Sequence, residues 1–290
     1  MSNQINVRKA VIPVAGFGTR FLPASKVVPK NMLPVFDTPA IQFAVQEAVE
    51  AGIEQVVIVV SEKQEAIRNH FKATPDLEVL LERRGDETLL ESMKLISDMV
   101  DIKYVCQKSQ LGLGHAVLMT RRVIGDEPFA VLLPDDLIFS DTPTIGEMIE
   151  MFKGLRGSII SVREVASERI SSLGIIKPLP MRGRMLEVES LVEKPELSEA
   201  PSNLAIVGRY VLHSSIFDML ERTPSGAVGE IQITDAISLM LSNQRVYAYR
   251  FPGVHFDVGT PLGLLRASAH VASDREEIRS EFREWLVNLI

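Results

Sequence analysis

Four short apolar runs, each closed by a polar or glycine-bearing segment, restrict what this chain can fold into more than any other feature. They are residues 10–15 (AVIPVA), 55–60 (QVVIVV), 102–106 and 129–133 (FAVLL). Runs without polar alternation belong to strands buried on both faces, which is the situation inside a parallel sheet. Pro13 is awkward in the first run, because proline has no N–H for a ladder. Between the runs lie helical stretches. Residues 39–52 place Ile41, Ala44, Val45, Ala48 and Val49 on one face and end at Gly52, a suitable residue just past a helix. Residues 64–71 also read as helix. Strand, helix and strand in sequence predict a βαβ unit.

Residues 77–99 are charged and predict one helix reaching out of the core. Helices are also expected over 114–123 and 143–155. After Gly157 the texture changes. Short strands are expected at 158–163, 174–177, 185–193, 205–212 and 246–251. Helices are expected at 216–222, 231–243, 261–273 and 275–289. The fold class is therefore α/β: a central mixed, mostly parallel sheet flanked by helices, with extra strands and C-terminal helices. One domain over 1–290 is expected, in two halves, 1–157 and 158–290. Trp285, with Phe282, Leu286 and Leu289, reads either as core or as a subunit contact.

Hydrophobic residues at 46% and charged residues at 24% exclude a wholly disordered chain. The net charge of −7 argues against a general nucleic-acid binder but allows a local basic pocket. Cys106 is the only cysteine, so nothing requires an oxidising compartment. The start, MSNQINVRK, lacks the apolar stretch of a signal peptide. No run reaches the ~18 apolar residues of a membrane span. A cytoplasmic protein without a membrane partner is expected.

The first run opens into Gly16-Phe17-Gly18-Thr19-Arg20. A glycine loop after a first strand lets backbone N–H groups approach an anion. The dinucleotide fingerprint fails, because Phe21 stands at its third glycine, which argues against a nicotinamide dehydrogenase. The P-loop pattern fails too, since no Gly-Lys-Ser/Thr follows. A plain strand-to-helix turn is the alternative. Against it, Arg20, Lys26 and Lys30 follow closely, and Pro23, Pro29 and Pro34 oppose a regular helix. A rigid, irregular loop with cations beside backbone donors suits a triphosphate.

Gly16-x-Gly18-Thr19-Arg20-x2-Pro23-x5-Pro29-Lys30-x2-Leu33-Pro34 resembles the signature of the sugar-phosphate nucleotidyltransferases. The resemblance runs on through residues 112–116 (GLGHA), 133–136 (LPDD), 192–195 (VEKP), 203–212 (NLAIVGRYVL) and 229–236 (GEIQITDA). In that order over almost the whole chain, the set is similar to the bacterial members that make UDP-glucose. The resemblance implies a Rossmann-like nucleotidyltransferase fold, with 1–157 as the nucleotide half and 158–290 as the sugar-phosphate half. It implies Mg²⁺-dependent transfer of UMP from UTP to glucose 1-phosphate by direct attack on the α-phosphorus, with release of pyrophosphate. It also implies a homodimer or homotetramer.

Residue by residue, the resemblance puts Arg20 and Lys30 on the triphosphate and Lys194 on the phosphate of the sugar. Lys26 ranks lower. Ala15, Gly16, Gly18, Thr19, Asn31, Gln107 and Gly112 fall at the nucleotide, where Gln107 offers an amide edge to uracil and Gly112 leaves room for the ring. Asp136, Gly174, Glu193 and Glu230 fall at the sugar. Asp135 holds the metal, joined by Asp257. The family usually has Glu where this chain has Asn31, and often Tyr where it has Leu173. His115 is expected to make a structural hydrogen bond rather than transfer protons. Two other readings stand: the same chemistry with another substrate, such as dTTP or a different sugar 1-phosphate, and a catalytically silent nucleotide-sugar-binding regulator.

Overall fold

The computed structural model describes residues 6–62, 64–226 and 229–289. The first five residues of the N-terminal segment lie outside it. Among the described residues nine strands make the main sheet: β1 (Lys9–Pro13), β2 (Gln55–Val60), β3 (Asp101–Cys106), β4 (Phe129–Leu132), β5 (Gly157–Glu164), β6 (Gly174–Pro180), β7 (Met185–Glu193), β8 (Leu204–Leu212) and β9 (Arg245–Arg250). Their order across the sheet is β3-β2-β1-β4-β8-β5-β9-β7-β6. The first four are mutually parallel. β8 runs antiparallel to both its neighbours, β4 and β5. β9 is parallel to β5, and β7 is antiparallel to β9 and β6. The expected mixed, mostly parallel sheet is thus present.

Alternation along the strands divides the core. Val11, Val57 and Val131 face one side, packed against helices Leu113–Leu118, Ile216–Arg222 and Ile233–Met240 through Val117, Leu220 and Ile237. Ala10, Ile12, Ile58 and Ala130 face the other, against Ile41 and Val45 of helix Ala40–Glu50 and Met148 and Phe152 of helix Thr144–Gly154. Apolar residues on both faces are what made these strands continuous in sequence. Pro13 is tolerated because pairing with β4 ends at Val11, opposite Val131. The following N–H, of Val14, goes to Val59 on the β2 side.

Three expectations need correction. The helix expected over 77–99 is two, Pro75–Arg84 and Glu87–Ser97, because the chain turns at Gly85. The helix expected over 114–123 is also two, Leu113–Leu118 and Arg121–Ile124. A ribbon of Asp136–Phe139 with Val254–Asp257 was not expected at all. Trp285 is 54% exposed and stacks on Phe282, so it is not core. Among the described residues no helix is long and apolar enough to cross a membrane.

The second half both extends the sheet and curls over it. β7 carries an irregularity between Val188 and Ser190, which bends a strand. Ile175 of β6 pairs back with Ala205 of β8. In this fold-back Gly174 and Glu193 are partners in the ladder.

Candidate active site

The segment after β1 is built from three single-turn 3₁₀ helices, Thr19–Phe21, Ala24–Lys26 and Lys30–Met32. Prolines 23, 29 and 34 keep it from continuing as one helix. Gly18 has φ of 65°, and a Cβ there would stand 2.9 Å from Cβ of Lys30. The glycine therefore lets the stem of Lys30 cross the loop. Ser25 closes it by donating its Oγ hydrogen to the Gly18 carbonyl at 2.7 Å.

Two chambers open at this end of the sheet. One, of about 500 Å³, is lined by Ala15, Gly16, Gly18, Thr19, Lys30, Asn31, Gln107, Gln110, Gly112, Asp135 and Glu230, among others. The other, of about 530 Å³, includes Arg20, Asp135, Asp136, Arg163, Arg169, His255, Asp257 and Arg266. They share Leu133 and Asp135 as walls. All seven residues expected at the nucleotide line the first chamber.

Lys30 donates from Nζ to Asp135 Oδ2 at 2.6 Å, where the chambers meet. Burial would push the Asp135 carboxyl up. The Lys30 ammonium outweighs this, with help from the Arg20 guanidinium, and holds the carboxyl below the usual range. Arg20 itself is exposed and lines the second chamber, not the first.

Asp135 and Asp257 come together. A Cβ on Gly259 would stand 3.0 Å from Asp257 Oδ1 and 3.1 Å from Asp135 Oδ2. The two carboxylates thus face one small space that a side chain would otherwise fill. Two carboxylates beside open volume suit Mg²⁺, which keeps waters and takes substrate phosphates rather than an all-protein cage. Among the described residues no three or more His, Cys, Asp or Glu side chains gather as a closed metal site. The other oxygen of Asp257 accepts from Arg169 at 2.7 Å.

Asp136 is committed to the protein. Its Oδ2 accepts from the Gly208 N–H at 3.1 Å, and its Oδ1 lies 2.7 Å from His255 Nε2. Glu193 Oε2 and the Thr234 hydroxyl both stand within about van der Waals reach of where a Gly174 side chain would be, at 3.1 and 3.0 Å. Glycine there keeps a polar cradle open. Burial, then the Glu193 charge, raises the carboxyl of neighbouring Asp235. Burial, then the charges of Asp136, Glu193 and Asp135, raises the Tyr210 phenol well above its usual value. Tyr210 thus sits among the carboxylates of both halves. Lys194 and Glu193 line neither chamber. Lys194 has φ of 48°, donates its N–H to the Leu173 carbonyl at 3.0 Å and places Nζ 3.4 Å from Glu193 Oε1. Leu173 belongs to the second chamber, so Lys194 stands at that chamber's rim.

Glu230, expected at the sugar, forms part of the first chamber's wall and accepts from Gln232 Nε2 at 3.0 Å. Gly112 lines the chamber as expected, but room for a base is not its main reason to be glycine. Its φ is 95°, and a Cβ would stand 2.8 Å from Cβ of Glu230 and 3.0 Å from the Ile231 carbonyl. His115 makes the expected hydrogen bond, with Gln107.

Sequence reasoning missed the group behind the site. Arg209, 1% exposed, donates from Nε and Nη2 to Glu47 Oε2 at 2.9 and 2.7 Å. Its Nη1 donates to the carbonyls of Leu133 and Gly208 at 3.0 and 2.9 Å. Arg209 thereby holds the turn that presents Asp135 and Asp136. His255, Arg163 and Arg169 were missed as well. Only Arg209 carried a signal, as a lone charge inside an otherwise apolar strand.

The comparisons with known proteins agree with this architecture. The family model described as "Nucleotidyl transferase" matches residues 9–274. The chain is 48% identical over 285 residues to the UTP–glucose-1-phosphate uridylyltransferase of Bacillus subtilis (strain 168), covering 97% of this chain and 98% of the relative. A UTP-bound UGPase from Acinetobacter baumannii matches with a TM-score of 0.90 and 40% identity, over 98% of this chain and all of the other. A UDP-glucose pyrophosphorylase complexed with UDP-glucose matches with a TM-score of 0.85 and 39% identity, over 93% of this chain and 100% of the other. With its glycine loop, its two adjoining chambers and a family match over most of its length, this chain belongs to the nucleotidyl transferase family and is a nucleotidyltransferase.

Proposed function

We propose that this enzyme transfers the UMP moiety of UTP to glucose 1-phosphate, giving UDP-glucose and pyrophosphate. The observation that carries the reading is the pair of chambers joined at Lys30–Asp135. Two anionic substrates lying one in each chamber would meet at that pair. A phosphate oxygen of the sugar phosphate attacks the α-phosphorus of UTP. The bond from the α-phosphorus to the bridging oxygen breaks, and pyrophosphate leaves with the electron pair. The attacking oxygen is already ionised at neutral pH, so no general base is required. The work of the protein is alignment and charge neutralisation.

In this reading the chamber walled by Ala15, Gly16, Asn31, Gln107 and Gly112 takes the nucleoside. Lys30 and Arg20 neutralise the triphosphate from either side of the junction. Asp135 and Asp257 hold a divalent cation such as Mg²⁺, which supplies neutralisation of phosphate charge when bound. Gly174 and Glu193 address the sugar hydroxyls. The curated relatives and the UTP- and UDP-glucose-bound neighbours support this choice of substrates.

The test is pyrophosphate release from UTP, dTTP, CTP and ATP, each with glucose 1-phosphate and with galactose 1-phosphate. UTP with glucose 1-phosphate should give the highest kcat/KM, and excess chelator should stop turnover. Equal or better use of dTTP would reassign the base, and silence with every pair would leave a nucleotide-sugar-binding regulator.

Lys194 is proposed to steer the second substrate. Left-handed backbone at a non-glycine residue is strained, and here it comes with an ammonium at the chamber rim. Lys194→Ala should raise the KM for glucose 1-phosphate about tenfold, since a lost charge-assisted hydrogen bond costs roughly 1.5–3 kcal/mol. The KM for UTP should move much less. The reverse pattern in steady-state kinetics would put Lys194 on the nucleotide.

A further inference from the structure

Gln107 follows β3 and is 4% exposed, in the wall of the nucleoside chamber. Both hydrogens of its amide are spoken for. Nε2 lies 3.2 Å from the Gly112 carbonyl and 2.8 Å from Nδ1 of His115. A carbonyl can only accept, so Gly112 admits the NH₂ end of the amide and not the oxygen. That bond is the longer of the two, and the Gly112 carbonyl is shared, because it also accepts the Ala116 N–H at 3.1 Å. The shorter bond, to His115, does more to hold the orientation. For His115 to accept at Nδ1, its ring must be neutral with the hydrogen on Nε2. Burial favours the neutral ring. Among the described residues no protein donor meets Gln107 Oε1, so the free end of this amide is an acceptor.

We infer that His115 is a positioning residue that sets pyrimidine choice: with the Gly112 carbonyl it locks Gln107 so that Oε1 is offered to the base. An acceptor at that position suits uracil or thymine, whose N3 carries a hydrogen. It opposes cytosine, whose N3 presents a lone pair. If the amide turned over, its NH₂ would suit the cytosine ring nitrogen and repel the N3–H of uracil. Discrimination of this kind comes from leaving a buried polar group mismatched, which costs more than a lost contact at the surface. His115 does this without touching the nucleotide. The inference rests on the proposed use of UTP.

The experiment measures kcat/KM for UTP and for CTP in the wild-type enzyme and in His115→Leu and His115→Asn. Leucine fills similar space without an acceptor. Asparagine restores an acceptor at the δ position. The UTP-to-CTP ratio should fall about tenfold in His115→Leu, a change worth one hydrogen bond, and stay within about threefold of wild type in His115→Asn. A purely structural histidine would lower both rates together and leave the ratio where it was, which would overturn the inference. ¹⁵N shifts of the His115 ring in the wild-type protein give a second readout that needs no variant. Nδ1 should be the unprotonated nitrogen at neutral pH, and a hydrogen on Nδ1 would sink the proposal however the variants behave. Wild-type enzyme that turns over neither UTP nor dTTP would overturn the proposed function, and this inference with it. Wild-type preference for UTP with an unmoved ratio in His115→Leu would overturn this inference alone.

Discussion

Lys30→Ala is expected to lower kcat/KM by about 10²–10³, the usual loss when one preorganised partner of developing charge is removed, while the sheet stays intact. Lys30 lies outside the main sheet and is only partly buried, so its removal leaves the core packing untouched. What changes is the junction of the two chambers. Asp135 loses the ammonium 2.6 Å away, and the burial that pushes its carboxyl up is then opposed only by a backbone hydrogen bond and, more weakly, by the Arg20 charge. The carboxyl pKa should therefore rise. In the wild type the carboxylate stays ionised well into the acid range. In the variant it should take up a proton at higher pH, and the acid limb of the pH–rate profile should shift upward. Near-normal turnover with an unmoved acid limb would place the triphosphate elsewhere.

Arg209→Met is expected to destabilise the fold by about 3–5 kcal/mol, because it strands the largely buried carboxylate of Glu47 without its partner. The Leu133 and Gly208 carbonyls each lose one donor in the same step, keeping only the N–H groups of Asp136 and Leu133. Glu47 still accepts the Ile145 N–H at 3.0 Å, which is too little for a charge. Urea unfolding checks the number. Adding Glu47→Gln to Arg209→Met should recover part of the loss, since the stranded charge is then gone. If the single variant costs less than about 1 kcal/mol, the pair is not what anchors the turn. Activity should drop further than stability explains, because the Leu133–Asp136 turn carries both carboxylates.

The first half of the chain was legible because its strands are buried on both faces, and such strands spell themselves as unbroken apolar runs. β8 was legible for the same reason: all nine of its residues are buried. The glycine loop was legible through its prolines and cations. Long-range polar pairing was not. Glu47 and Arg209 lie 162 positions apart, and nothing local to either names the other. His255 reaches Asp136 only because an unexpected ribbon sets Asp257 opposite Asp136. Its strands are four residues each, too short to show a period. That Glu230 lines the first chamber was not legible, because a motif gives order along the chain and not which wall of a cleft a residue joins. The break at Gly85 was written in the sequence, as a glycine within a charged helical stretch, and reading through it gave one helix too many turns.

The position of β8 has a consequence for how the chain is made. It lies between β4 and β5, so the edge of β4 has no partner until residue 212 has been synthesised. From Leu132 to Leu212 is 80 residues, or roughly 4–16 s of translation at typical rates. Throughout that time an emerging chain carries four parallel strands with a bare, wholly apolar edge. Such an edge is a template for pairing with any other unfinished chain. The sheet cannot heal itself early, because β8 closes a contact that is distant in sequence and therefore slow to form. The late arrival of β8 thus concentrates the pairing liability of a half-made sheet on one strand, Phe129–Leu132.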